Sequence, residues 1–283
     1  MKKPQFILAG AGLLVLIVLY FGGNTIPPKK NSESKEQSVA TKAVDIQDIL
    51  QAWKSKLTPS QLSYVNRLEN SVVRGDVRNQ QLTVYKELAV FWKDSVQQAF
   101  LPQAYYEGEV AKLEKSEKKL TFAAQLFLEN LRGQDDPSIK TWVSTEAKEL
   151  FEAALAINPR NDSARVGLGA TYIFGNASNS PQETMQGVQQ ILQVVKEDST
   201  NMYAQFMLGL GGMESGQFDR AIARFTKVIE HQPDNLEAIL SLAEAYERTG
   251  NKKEALNWYS AAKKKTGNKE LLQAIDTRIK SLK

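Results

Sequence analysis

Few residues in this chain are equipped for chemistry. Of its 283 residues, one is histidine and none is cysteine. The missing thiols remove disulfides, thiolate metal sites, a cysteine nucleophile and a cysteine-linked lipid anchor. A single imidazole can build neither a His-cluster metal site nor a two-histidine relay. That residue, His231, stands before Gln232 and Pro233 at the end of an apolar-periodic segment, and no second ligand follows it at metal spacing. It is expected to close a helix, where its proton meets terminal carbonyls. Gly209-Leu210-Gly211-Gly212 has the glycine density of a phosphate loop, but no strand precedes it and no Gly-Lys-Ser/Thr follows. The acidic pairs Asp135-Asp136 and Glu197-Asp198 lack the enclosing apolar site that would separate two carboxyl pKa values, and read as solvated charge. No catalytic residue, cofactor or metal is therefore expected.

Lys and Arg number 36 against 32 Asp and Glu, a net charge of +4. That is too mild to make nucleic acid the expected partner. The positive charge gathers at the carboxyl end, where Gly250 to Lys283 holds nine Lys or Arg and three acids. A solvated terminal face accounts for it.

The amino terminus reads as a membrane anchor. Met1-Lys2-Lys3 precedes an uncharged apolar run, Phe6 to Phe21, and continuing through Ile26 reaches about 31 Å of helix, enough to cross a hydrocarbon core of about 30 Å. A cleaved signal peptide shares the basic start and apolar middle, but the best cleavage pair after Phe21 is Gly23 with Thr25, a poor one. Residues 1–26 are thus expected to stay attached as a single-pass helix in a bacterial inner membrane. The basic start favours an inside amino terminus and an extracytoplasmic remainder, although Lys29 and Lys30 on the far side weaken the asymmetry. Residues 27–42, PPKKNSESKEQSVATK, are polar and without aromatics, the composition of a flexible tether.

From Ala43 onward the apolar residues recur three and four apart, with no sustained alternation, so the rest is all-α. Ile46, Ile49, Leu50, Trp53 and Leu57 make one face; Leu62, Val65, Leu68 and Val72 make another, after Thr58-Pro59. Leu82, Tyr85, Leu88, Ala89 and Trp92 continue the pattern, which Pro102 is expected to break or kink. Residues 43–115 therefore form divergent helical hairpins.

The second half repeats. Ile157-Asn158-Pro159-Arg160-Asn161 resembles Glu230-His231-Gln232-Pro233-Asp234-Asn235, each closing one helix and opening the next, and Lys196 to Asn201 holds the same place without proline. Asn201 to Asn235 is 34 positions and Asn161 to Asn201 is 40, the extra six falling at Gly175 to Pro181. Small and large residues fall at matching places: Leu242, Ala243, Tyr246, Gly250, Ala255, Tyr259 and Ala262 in the last unit, and Leu208, Gly209, Gly216, Ala221, Phe225 and Pro233 in the one before. With that period and those positions, residues 116–267 resemble the tetratricopeptide repeat family. The resemblance implies a right-handed α-solenoid of helical hairpins. Residues 268–283, with Leu271, Leu272, Ile275, Ile279 and Leu282 on one side, read as the helix that caps it. Gly212 departs from the family, which places a tyrosine there, and leaves room for a neighbouring side chain.

The family binds peptides in a groove lined by the first helix of each unit. Here the helix from Met202 to Met213 is apolar almost all round, which stacking on one side does not explain. By the resemblance, Tyr203, Phe206, Met207, Leu210 and Met213 face the groove. Ile173 and Phe174 join them from the preceding unit. Either the chain's own residues 43–115 or the Gly175–Pro181 loop fill that groove, or an apolar partner segment does, with methionine supplying adaptability. The basic residues that clamp a terminal carboxylate in some chaperone-binding members are absent. The expected function is a noncatalytic, membrane-anchored adaptor for a protein or peptide partner, with a chaperone-like holder of exported apolar segments, or more remotely an enzyme with an unrecognised site, as the alternatives. Self-association stays open.

Overall fold

The computed structural model describes residues 44–74, 78–175 and 180–283. The expected span at 1–26, the tether at 27–42 and the loop residues 176–179 lie outside the described residues. Thirteen helices and no strand occur among those described: α1 (Ile46–Lys54), α2 (Pro59–Arg74), α3 (Arg78–Ser95), α4 (Phe100–Glu114), α5 (Glu117–Leu131), α6 (Pro137–Ile157), α7 (Asp162–Phe174), α8 (Pro181–Glu197), α9 (Met202–Glu214), α10 (Phe218–His231), α11 (Leu236–Arg248), α12 (Lys252–Lys263) and α13 (Lys269–Leu282). Among the described residues, no helix is long and apolar enough to cross a membrane.

The repeat boundaries follow from hydrogen-bonding needs at helix starts, where the first backbone N–H groups have no intrahelical acceptor. Asn161 Oδ1 accepts from Ala164 N, Asn201 Oδ1 from Ala204 N and Asn235 Oδ1 from Ala238 N, each at 3.0 Å. The three asparagines that mark the sequence period are thus the caps of α7, α9 and α11, each worth about 0.5–2 kcal/mol. Asp136 caps α6 through two backbone N–H groups, with Pro137 in the first turn. Pro102 lies in the first turn of α4, so it opens that helix and does not kink a longer one. Gly216 and Gly250, 34 positions apart, turn the chain within two hairpins at φ +70° and +78°, a conformation L side chains rarely adopt.

Four hairpins stack: α5 with α6, α7 with α8, α9 with α10 and α11 with α12. The first helices of successive hairpins also touch one another, α5 to α7, α7 to α9 and α9 to α11, forming an inner row. Within a hairpin the two helices close because a glycine on the first meets a large side chain on the second. A Cβ on Gly209 would lie 2.5 Å from Cε1 of Phe225, and one on Gly169 would lie 2.7 Å from Ile191 Cγ1. Phe225 is fully buried, its ring centroid 5.7 Å from that of Phe206.

In front of the array, α3 packs on α4, α4 on α5, and α1 on α4. A separate cluster of Leu50, Val65, Leu68, Leu88, Phe91 and Trp92 holds this part together. At the other end α13 buries Ile275 and Leu282 against Ala255, Tyr259 and Ala262. The basic end is partly neutralised there: Lys263 pairs with Asp276, Lys265 with Asp234 and Arg278 with Glu247.

Candidate functional site

The residues that could do chemistry have structural partners. His231 Nδ1 lies 3.0 Å from Lys227 O, one turn back at the end of α10. Asp198 Oδ1 accepts from Thr200 N at 2.8 Å. Glu197 accepts from Arg165 Nη2 at 2.9 Å and from Gln193 Nε2 at 2.8 Å, and these donors pull its pKa down to about 2. Gly209, Gly211 and Gly212 lie inside α9 as packing surfaces: Gly211 faces Ile173, and Gly212 faces Ala221 on α10.

The inner row of first helices makes a groove, and the seven residues expected there divide by depth. Leu210 is only 4% exposed and belongs to the main core. Ile173, Phe174 and Phe206 are also buried, whereas Tyr203, Met207 and Met213 are half-buried. Tyr203, Phe206 and Met207, with Met202, line a pocket of about 350 Å³. Ile173 and Phe174 line a separate one of about 290 Å³. Leu210 and Met213 line neither.

The pocket walls come from elsewhere in the chain. Gln125, Leu128 and Glu129 extend from the second half of α5 and Arg132 from its C-cap, with Asn235 and Glu237 at the N-cap and first turn of α11. Arg132 also borders the smaller pocket, its guanidinium carbon 5.7 Å from the centre of the Phe174 ring. Arg132 Nη1 meets Glu237 Oε1 at 3.2 Å. The first and last of the four inner helices therefore reach across α9 and touch above its aromatic floor. Burial, and then the neighbouring Glu237, raise the Glu129 carboxyl above the ordinary value. Burial dominates at Tyr203 as well, pushing its hydroxyl well up, with Glu129 and Glu237 adding and a hydrogen bond with Gln125 opposing. The groove is thus an apolar floor between two carboxylates and one guanidinium.

None of the α5 residues was legible as groove. The first helix of the earliest unit departs from the repeat pattern, so no register could be carried onto it. Glu237 sits at the position of Tyr203 one unit on, the single signal that it shares the inner face.

Residues 213–279 match the tetratricopeptide repeat family model. Over those residues the chain is similar to tetratricopeptide (TPR) repeats. A thermophilic TPR protein in Thermus thermophilus is similar in structure, with a TM-score of 0.53 at 16% identity over 73% of this chain and 98% of that one. That likeness supports the hairpin array. MamA (TM-score 0.41, 18% identity, 66% of this chain and 92% of that one) and YrrB, a TPR protein with an unusual peptide-binding site (0.40, 15%, 74% and 97%), overlap less closely. A comparison with curated proteins returned no match.

Proposed function

We propose that this chain is a noncatalytic TPR adaptor that holds a peptide segment of a partner protein in its inner groove. The observation that carries the reading is the floor of Tyr203, Phe206 and Met207 beneath the Glu129 and Glu237 carboxylates. Recognition in such a groove needs apolar anchors on the ligand and a few placed polar groups to fix it. With two carboxylates against one guanidinium, the favoured segment carries apolar side chains beside a basic residue. That charge pattern favours an adaptor over a holder of uniformly apolar segments. Arg132 and Glu237 are exposed enough that their pair is worth at most about 1 kcal/mol, so a ligand can displace it at little cost.

The sequence of residues 1–26 supports an anchor in the bacterial inner membrane, with the array on the extracytoplasmic side at the end of the 27–42 tether. Alkali-washed membranes should retain the full chain with its original amino terminus. A soluble species starting after Gly23 would refute the anchor.

For the groove, a photo-crosslinking residue is placed at Met207 in the full chain, in its native membrane. It should label one protein that the same probe at Met185, which is exposed on α8, does not. Reversing the walls with Glu129→Lys and Glu237→Lys should remove that product. Equal labelling from both positions, or a product indifferent to the charge reversal, would defeat the proposal.

A further inference from the structure

The outer side of the array carries a second pocket, and its origin is a missing ring. Tyr172, Gly212 and Tyr246 occupy the same place in three successive units. Tyr172 reaches back to the preceding hairpin, where Lys148 Nζ lies 4.9 Å from the ring centre. The equivalent of Lys148 one unit later is Val188, so a tyrosine at position 212 would lie over Val188 on α8. There is none, and the space is a pocket of about 480 Å³ between α8, α9 and α10. Its floor is apolar, from Val188, Leu192 and Leu208, and Leu192 is 39% exposed to water.

One wall is cationic. Arg220, Arg224 and Lys227 follow one another along one face of α10 and all line the pocket. Arg220 Nη1 donates to Gln217 Oε1 and Arg224 Nη1 to Gln205 Oε1, both neutral amides, at 2.5 Å. Among the described residues, none of the three cations has a carboxylate partner. Arg224 is half-buried, and desolvation alone pulls its pKa down. Gln205, fully buried, fixes it in place, with its own Nε2 donating to Ser199 O at 3.1 Å. A half-buried guanidinium held by a buried amide, with no carboxylate partner among the described residues, is a prepared binding group.

We infer that this outer pocket binds an acidic peptide segment, an apolar side chain entering the space left by Gly212 and its carboxylates meeting Arg220, Arg224 and Lys227. The volume lies within the ordinary range of ligand sites, about 300–1,000 Å³. Charge complementarity selects the anion and the apolar floor selects the anchor. A single-stranded nucleic acid would need aromatic stacking surfaces, and no aromatic residue lines the pocket, while a duplex would set its phosphates against the cations and leave the apolar floor of Val188, Leu192 and Leu208 unused. A fatty acid would need an enclosed channel for its tail, whereas this floor is open to water at Leu192. The surface is distinct from the inner groove, so it serves a partner of opposite charge character.

The test uses the full chain in neutral-lipid nanodiscs and a fluorescein-labelled peptide alternating glutamate and leucine. The same peptide with lysine for glutamate, and decanoate as a competitor, are the comparisons. The acidic peptide should bind at least tenfold more tightly than the basic one. Ala223→Glu sets a carboxylate on the cationic wall at an exposed helical position, so it should weaken binding tenfold or more with helicity unchanged. The Arg220→Gln, Lys227→Gln pair should do the same, and Met207→Glu in the inner groove should leave binding unaltered. Binding indifferent to Ala223→Glu, or abolished by Met207→Glu, would overturn the inference. Binding of decanoate, but not of the acidic peptide, in an Ala223-sensitive manner would also overturn it, by assigning the pocket to a small amphiphile.

Discussion

The fit between Gly209 and Phe225 sets how α9 and α10 close, and it predicts strong coupling between two substitutions. Replacing Phe225 with alanine empties a fully buried site and should cost about 3–5 kcal/mol. Replacing Gly209 with alanine puts a methyl group 2.5, 2.8 and 2.9 Å from three atoms of the Phe225 ring. A ring with no exposed surface cannot swing away, so overpacking should cost about 1–3 kcal/mol. Against this stands a gain of about 1 kcal/mol from alanine's helix propensity. Gly209→Ala alone should therefore be neutral to about 2 kcal/mol destabilising. In the Phe225→Ala background the clash is gone, the propensity gain stays, and the new methyl fills part of the cavity. There Gly209→Ala should stabilise by about 1 kcal/mol, a coupling of about 1–3 kcal/mol. Urea titrations of the four proteins, followed by far-UV circular dichroism, measure it, with a constant slope as the check on two-state behaviour. Effects that add to within about 0.5 kcal/mol would show that the two residues do not meet, and the hairpin register assigned here would be wrong.

Leu210→Glu should unfold the array or lower its melting temperature far more than Met207→Glu, because Leu210 is core whereas Met207 is half-buried on the pocket floor; equal shifts in thermal melts would contradict this division of the inner face. The Glu197 carboxyl should titrate near pH 2 by NMR, against 4.5 for a free glutamate, and Arg165→Gln should bring it back towards that ordinary value. Since the folded pKa is the lower one, the stabilisation from this group is present above about pH 4.5 and is lost as the pH falls towards 2. A wild-type midpoint already at the ordinary value would refute the Arg165–Glu197 contact.

Much of the fold was legible because repeats state the same physical requirement several times. One asparagine before an apolar run is weak evidence for a helix start. Asn161, Asn201 and Asn235 at consistent offsets identify three caps, and the structure gives each the same 3.0 Å bond. Gly216 and Gly250 mark two tight turns in the same manner. Where the chain departs from the repeat, reading became coarse. The segment ahead of α5 was legible as helical hairpins, but not the place of Pro102, since a proline in a first turn and one at a kink follow the same apolar periodicity.

The sites were legible only in part, for a reason that lies in how a solenoid is specified. Positions that stack one unit on the next must be small or large in a fixed pattern, so they reveal the fold and say little about what binds. Information about a ligand sits in the positions that break the pattern. Gly212 is one such break, visible in the sequence as room for a neighbouring side chain. What fills the room could not be read, because Val188, Leu192 and the α10 cations come from three helices whose spacing only the packed array defines. The inner groove shows the complementary case. Its apolar floor is continuous on α9 and was readable as one stripe, whereas its carboxylates, Glu129 and Glu237, lie 108 positions apart and are brought together by curvature over four units. The result is an acidic inner pocket and a basic outer one, on opposite sides of α9. A single charge change on one side should therefore leave the other's ligand in place, which makes the two binding readings separable by mutation.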